Sequence, residues 1–224
     1  MNRIKGILYA IVSSSTFGLA PFFTLTLLSF GYSSFEVLTY RWGIASLCLI
    51  GFGLLAGCNF RLSKKDFGVV FLLSLFRATT SFSLVIAYQN IASGVASTIH
   101  FMYPLVVAVV MMCFFRERGS VWTFAAIGMS IVGAVLLSLG NVDFSHGDTT
   151  LGIVSATVSV VAYGGYIVGV RRSRAVEIDS TVLTCCVMAF GALFFITGGL
   201  LTGGVRRYEK SRSLRSGIFR VLKV

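Results

Sequence analysis

Apolar residues gather into seven long runs along the chain, separated by short polar stretches: Gly6 to Phe30, Phe35 to Ala56, Asp66 to Tyr88, Ser93 to Phe115, Ser120 to Leu139, Leu151 to Val170 and Ser180 to Thr202. A hydrocarbon core about 30 Å thick is crossed by roughly 20 mostly apolar residues in a helix, and each run meets that length. None shows strict apolar/polar alternation, and each far exceeds the roughly 10 residues of a barrel strand. Helices are therefore the spanning structure that satisfies the backbone inside lipid. The pattern predicts an all-α fold, a polytopic membrane helix bundle with about seven transmembrane helices. The first run is too long for a signal-peptide core and lacks a small-x-small cleavage site at a suitable distance, so it reads as an uncleaved anchor.

Polar residues interrupt the runs at helical spacings. In span 4, Ser93, Ser97, His100 and Pro104 fall four, three and four residues apart, which places them on one face of a continuous helix. Pro104, at mid-span, has no N–H to give and frees the carbonyl of His100; Pro21 frees that of Phe17 near the centre of span 1. Both prolines predict bent helices. The stripe lines either a cavity or a packed kink in which His100 bonds a neighbouring helix, since such groups avoid lipid.

Arg77 is the middle residue of span 3, on a stripe with Ser74, Ser81 and Tyr88. A centred Arg costs about 2.5 to 3.5 kcal/mol on the lenient insertion scale and does not shed its proton. Arg41 of span 2 lies roughly 7 Å from the centre by helical rise, with Glu36 five residues earlier in poor geometry for a same-helix pair. No Asp or Glu lies deep in any span. A cavity holding one or two such arginines favours a carboxylate or phosphate; the other reading has Arg77 bonded to helix carbonyls and hydroxyls. Span 1 carries Tyr9, Ser13, Thr16 and Thr24 near one face, and span 6 carries Ser155, Ser159, Tyr163 and Tyr166. These fit a cavity lining or, equally, tight helix packing, the role assigned to the Ala126, Ser130, Ala134, Ser138 ladder and to Gly53 with Gly57. The candidate substrate-binding set is Arg77, His100, Ser97, Arg41, Thr16 and Tyr163, with Pro21 and Pro104 as bends.

An internal repeat organises the spans. Gly6-Ile-Leu-Tyr-Ala-Ile-Val-Ser-Ser-Ser-Thr-Phe-Gly18 aligns without gaps on Gly152-Ile-Val-Ser-Ala-Thr-Val-Ser-Val-Val-Ala-Tyr-Gly164, and Val37-Leu38-Thr39 then matches Val182-Leu183-Thr184 one residue out of step. Residues 6–139 read as one five-helix repeat and 151–202 as two helices of a second copy. An odd number of spans inverts the second copy, a transporter device in which two halves rock about a midplane site. Residues 203–224 form a basic tail whose seven Lys or Arg fall on the wrong side by span counting. It reads either as non-native sequence after a frameshift or truncation, or as an amphipathic tail on the cytoplasmic face.

Composition agrees with a membrane chain: of 224 residues, 56% are hydrophobic and 12% charged, with a mean hydropathy of +0.88. The net charge of +11 suggests nucleic acid only until its placement is read. Arg3, Lys5, Arg61, Lys64, Lys65, Arg116, Arg118, Arg171, Arg172 and Arg174 all fall on one side, and the loops at 31–34, 89–92 and 141–150 carry no Lys or Arg. By the positive-inside rule the N-terminus is cytoplasmic and the chain is a multi-pass protein of the cell's inner membrane. No nucleic-acid motif accompanies the charge. Cys48, Cys58, Cys113, Cys185 and Cys186 form no C-x-x-C pair and read as small packing residues, with no metal site.

The stretch Tyr88-Gln-Asn-Ile-Ala-Ser-Gly-Val-Ala-Ser-Thr-Ile-His-Phe-Met-Tyr-Pro104, continuing to Phe115-Arg116-Glu117-Arg118 and then Gly128 and Gly133, resembles the EamA domain of the drug/metabolite transporter superfamily. Arg41 matches the Arg usual in that family's second span. The resemblance covers residues 6 to 202 and implies ten spans in two inverted repeats that move amino acids, nucleotide precursors or other small metabolites without ATP. This chain departs from the pattern in having no counterpart of spans 8 to 10. The expected function is secondary transport, as exporter or permease, of a small metabolite, with carboxylate-bearing solutes such as an amino acid in view; the alternative is a non-transporting truncated fragment. No phosphate-binding loop, metalloprotease or hydrolase motif appears, so neither an ATPase nor an enzyme is expected, and no cofactor. Titration of His100 is a candidate for coupling. The partners expected are a small-molecule substrate, the lipid bilayer and, as a candidate, a second copy of the chain in a homodimer.

Overall fold

The computed structural model describes residues 3–117 and 147–202, with positions 124–125, 128–129, 132–133 and 136 between them; at 3–5, 10 and 13–18 it describes the backbone alone. The elements are α1 (Arg3–Ser29), α2 (Ser34–Leu55), α3 (Lys64–Asn90), α4 (Ser93–His100), α5 (Tyr103–Phe115), α6 (Thr149–Arg172), a 3-10 turn (Arg174–Glu177) and α7 (Ser180–Leu201). Among the described residues there is no strand, and five helical segments, with α4 and α5 taken together, are long and apolar enough to cross a membrane. The chain is a multi-pass helical bundle. The expected boundaries of spans 1 to 4, 6 and 7 match these elements within a few residues, and those of span 5 lie outside the described elements. The small-residue ladder of span 5 and the basic tail lie outside the described residues.

The bundle is built on two seams, α3 along α6 and α2 along α7. Lipid is as apolar as leucine, so such seams depend on close backbone approach and ring packing more than on burial from water. At Gly152 an added Cβ would come within 2.6 Å of Ile91 Cγ2, and at Gly198 within 2.7 Å of the Phe35 ring. Gly191 leaves room for the Trp42 ring, which meets Phe195 edge to face at 5.4 Å. Large apolar side chains such as Leu55, Phe114 and Leu201 point outward, as lipid requires. Gly53 packs against Phe60 in its own following loop. Gly57, expected to pack a helix, instead closes α2 at φ +72, with Cys58 N–H on the Gly53 carbonyl at 2.8 Å and Gly57 N–H on that of Leu54 at 3.2 Å.

The acidic side chains sit at the bundle ends. Asp148 and Asp179 accept N–H bonds from the first turns of α6 and α7 at 2.9 to 3.3 Å. Glu36 does not approach Arg41; it forms a capping box with Ser33 at the start of α2. At the end opposite Glu36 and Asp148, where Asp179 also stands, Glu117 pairs with Arg172, and Asp66 with Arg174 at 3.3 Å. The loops carrying the Lys and Arg residues thus share one end of the bundle. At the other end Ser34 donates to Gln89 at 3.3 Å and the Asp148 N–H to Asn90 at 3.1 Å.

Span 4 is broken where sequence predicts a bend. It divides into α4 and α5 around Phe101 and Met102, with Pro104 in the first turn of α5. Proline is tolerated there because first-turn N–H groups have no helical partner. Across the junction Phe101 N–H reaches the Ser97 carbonyl, Met102 that of Ile99 and Leu105 that of Met102, passing over His100. The carbonyl expected to be freed is free of those backbone bonds, in a two-residue turn whose dihedrals stay right-handed helical.

Candidate functional site

α1, α2, α3 and α4 enclose a small closed chamber at mid-bundle. Its walls are Ala20 and Pro21 of α1, Arg41 of α2, Arg77, Thr80, Ser81 and Tyr88 of α3 and His100 of α4. The free space is about 20 Å³, room for about one water.

Arg77 is held without a carboxylate. Its Nη1 lies 3.4 Å from Ser81 Oγ, and its guanidinium lies over the Tyr163 ring at 5.1 Å and the Trp42 ring at 5.8 Å. Planar guanidinium groups stack on such faces, a contribution of about 2 kcal/mol when desolvated. Arg41 retains exposed surface and reaches Thr24 Oγ1 at 3.5 Å, while the Thr24 hydroxyl donates to the Ala20 carbonyl at 2.7 Å. Among the described residues, neither arginine has an acidic partner within salt-bridge distance.

His100 is buried and its Nδ1 lies 3.0 Å from Ser159 Oγ of α6. The Ser159 hydroxyl itself donates to the Ala156 carbonyl at 2.6 Å, so it accepts from the ring and assigns the proton to Nδ1. Beside His100, Tyr103 and Tyr163 meet edge to face at 4.5 Å, and Tyr166 stacks on Tyr163 at 5.9 Å. The chamber is thus cationic on its α2 and α3 side, and behind Arg77 and His100 lies an aromatic cluster shared with α6.

The single polar face expected in span 4 is divided. His100 turns to α6, Ser97 bonds the Tyr88 hydroxyl at 3.2 Å, and Pro104 is exposed at the start of α5. α4, packed between α3 and α6, presents its two flanks to different partners. Of the candidate residues, Arg41, Arg77, His100 and the bend Pro21 line the chamber; Ser97 stands at its edge, and Tyr163 touches Arg77. The Thr16 side chain lies outside those described. Tyr9, expected on the polar face of span 1, is 67% exposed and away from the site.

Sequence reasoning named Tyr88 on the Arg77 stripe and Ser159 as cavity lining or packing but kept both out of the candidate set, and it did not reach Trp42 or Thr80. Tyr88 was within reach, being eleven residues after Arg77, about three helical turns along the same stripe. Trp42 carries no such signal, because its contact with Arg77 crosses between helices.

A bundle of membrane-length helices around an unpaired pair of arginines defines a multi-pass membrane protein with an interior polar site. Residues 4–139, more than half of the chain, match the EamA-like transporter family, and the chain belongs to that family. The family is one of membrane transporters of the drug/metabolite type. Comparison with curated proteins and with solved structures gives no match.

Proposed function

We propose that the chain is a secondary transporter, not an enzyme, of a small anionic metabolite. It would act in the inner membrane with its N-terminus in the cytoplasm. One observation carries the anionic part: Arg41 and Arg77 line a single closed chamber with no carboxylate beside them. A fixed cation in a low-dielectric setting is stabilised by an anion, and the guanidinium fork matches the two oxygens of a carboxylate or phosphate. The orientation is supported by the ten Lys and Arg residues in loops on one side of the spans. Residues 6–139 and 151–202 are taken as a complete and a partial inverted repeat, and the chamber is lined by helices of the first.

The test is uptake into proteoliposomes of labelled glutamate, inorganic phosphate and, as a cationic control, choline. Wild type should accumulate at least one anion and exclude choline, and Arg77→Gln should lose that uptake. Equal anion uptake by Arg77→Gln would remove Arg77 from the site.

A second reading is a chain that does not transport alone, and one contrast favours it. Gly152 and Ser155 of α6 are buried, whereas their repeat equivalents on α1 are open: nothing lies within 4 Å of a Cβ at Gly6, and Tyr9 is exposed. On that reading proteoliposomes of the chain alone take up no probe.

A further inference from the structure

Two hollow spaces meet at Pro21. One is the chamber, too small in this state for any metabolite. The other is a groove of about 610 Å³ between α1 and α4, within the size range of small-molecule sites, about 300 to 1,000 Å³. Pro21 lines both spaces. The groove starts at mid-depth beside Pro21, Ser97 and Phe101 and ends at Ser29 and Ser93, where the loops without Lys or Arg lie. By helical rise it runs about 12 Å along each helix.

Its walls are mixed. Thr26 and Ser29 on α1 and Ser93 and Ser97 on α4 bring hydroxyls to a surface otherwise formed by residues such as Phe22 and Leu25. At the inner end a single side-chain bond closes the way: Tyr88, which lines the chamber, meets Ser97, which lines the groove, at 3.2 Å. The helix opposite is α1, which touches α2 and α3 among the described residues and whose proline stands at the junction of the two spaces. A proline within a helix is a recognised cause of a kink and marks where one half can swing against the other.

We infer that the α1–α4 groove is the outer vestibule through which an anionic solute with an apolar part reaches Arg77, and that the Tyr88–Ser97 bond is its inner gate. This rests on the anion-transporter reading. Hydroxyls solvate the anion without trapping it, apolar walls accept the remainder of the solute, and the guanidinium groups draw the charge inward. Breaking one neutral hydrogen bond and moving α1 would join the vestibule to the chamber.

Thiol labelling of the full chain in membranes, read peptide by peptide by mass spectrometry, tests this without a transport assay. Gly94→Cys reports the groove, and a Cβ there meets nothing within 4 Å, so the variant should fold. Thr80→Cys, a near-isosteric change, reports the chamber. Cys48, exposed on α2 at least seven residues from either helix end, is the built-in lipid-facing control. The probe is the membrane-impermeant anion 2-sulfonatoethyl methanethiosulfonate, with the trimethylammonium analogue for comparison. Gly94→Cys should react from the outer face while Cys48 does not. Thr80→Cys should react slowly, gain about tenfold in rate when combined with Tyr88→Phe, and favour the sulfonate. Labelling of Gly94→Cys only by membrane-permeant N-ethylmaleimide would show a lipid-filled furrow and overturn the vestibule. A Thr80→Cys rate unchanged by Tyr88→Phe would overturn the gate. Because these rates need no transport, retained uptake by Arg77→Gln would sink the anion site and leave the groove's accessibility to be judged separately.

Discussion

Arginine occurs in two settings in this molecule. At the basic end Arg172 pairs with Glu117 while stacking over Phe115 at 4.4 Å, and Arg174 pairs with Asp66. At mid-bundle Arg41 and Arg77 have hydroxyls and ring faces and, among the described residues, no acid. The end is the cheap place for a charge, since water and head groups solvate it, and an exposed pair there contributes about 0 to 1 kcal/mol. The middle is the costly place, at about 2.5 to 3.5 kcal/mol for one Arg. Counter-charges therefore stand where they matter least and are missing where they matter most. The account that reconciles these settings assigns the missing anion to the cargo.

Four substitutions sharpen or break this contrast. The largest effect belongs to Arg77→Gln: losing a two-pronged, charge-assisted contact should weaken anion binding at least about 100-fold, read as Kd or as half-saturating uptake. Next is Ser81→Asp, which gives the mid-bundle arginine the partner that its counterparts at the end possess. With Ser81 Oγ already 3.4 Å from Arg77, the new carboxylate should occupy the site of the solute and reduce uptake by tens-fold, more severely at low solute concentration. Unchanged uptake by Ser81→Asp would show that the positive charge is not what receives the solute. Arg41→Gln, at the more exposed of the two positions, should cost about tenfold in Kd. Glu117→Gln, at the bundle end, should change stability by less than about 1 kcal/mol and leave uptake intact.

The helices are legible in the sequence because a run of some 20 apolar residues has one solution in lipid. Arg77 and Arg41 are legible for the complementary reason, that a charge inside such a run must face something. Local spacing fails at span 4. A period read as one continuous helix puts Ser97, His100 and Pro104 together, whereas two turn residues, Phe101 and Met102, end α4 and restart the register. Spacing also gives no sight of contacts made across seams. Trp42 meets Arg77 where α2 touches α3, and Ser159 orients His100 where α4 packs on α6, and neither pairing is written in the periodicity of a single span. Glu36, whose spacing from Arg41 reads as poor for a pair, is drawn instead to the N-terminus of its own helix, where a carboxylate satisfies a backbone N–H and the helix dipole together.

The most direct test is thermal unfolding of the detergent-purified chain with and without glutamate, inorganic phosphate and choline, on wild type, Arg77→Gln and Glu117→Gln side by side. A ligand that binds the folded state at 100 times its Kd stabilises by about 2.7 kcal/mol, a measurable rise in Tm. The account predicts a rise with at least one of the two anions for wild type and Glu117→Gln, none with choline, and none with any probe for Arg77→Gln. An equal rise in Arg77→Gln, or no anion response in wild type, would contradict it.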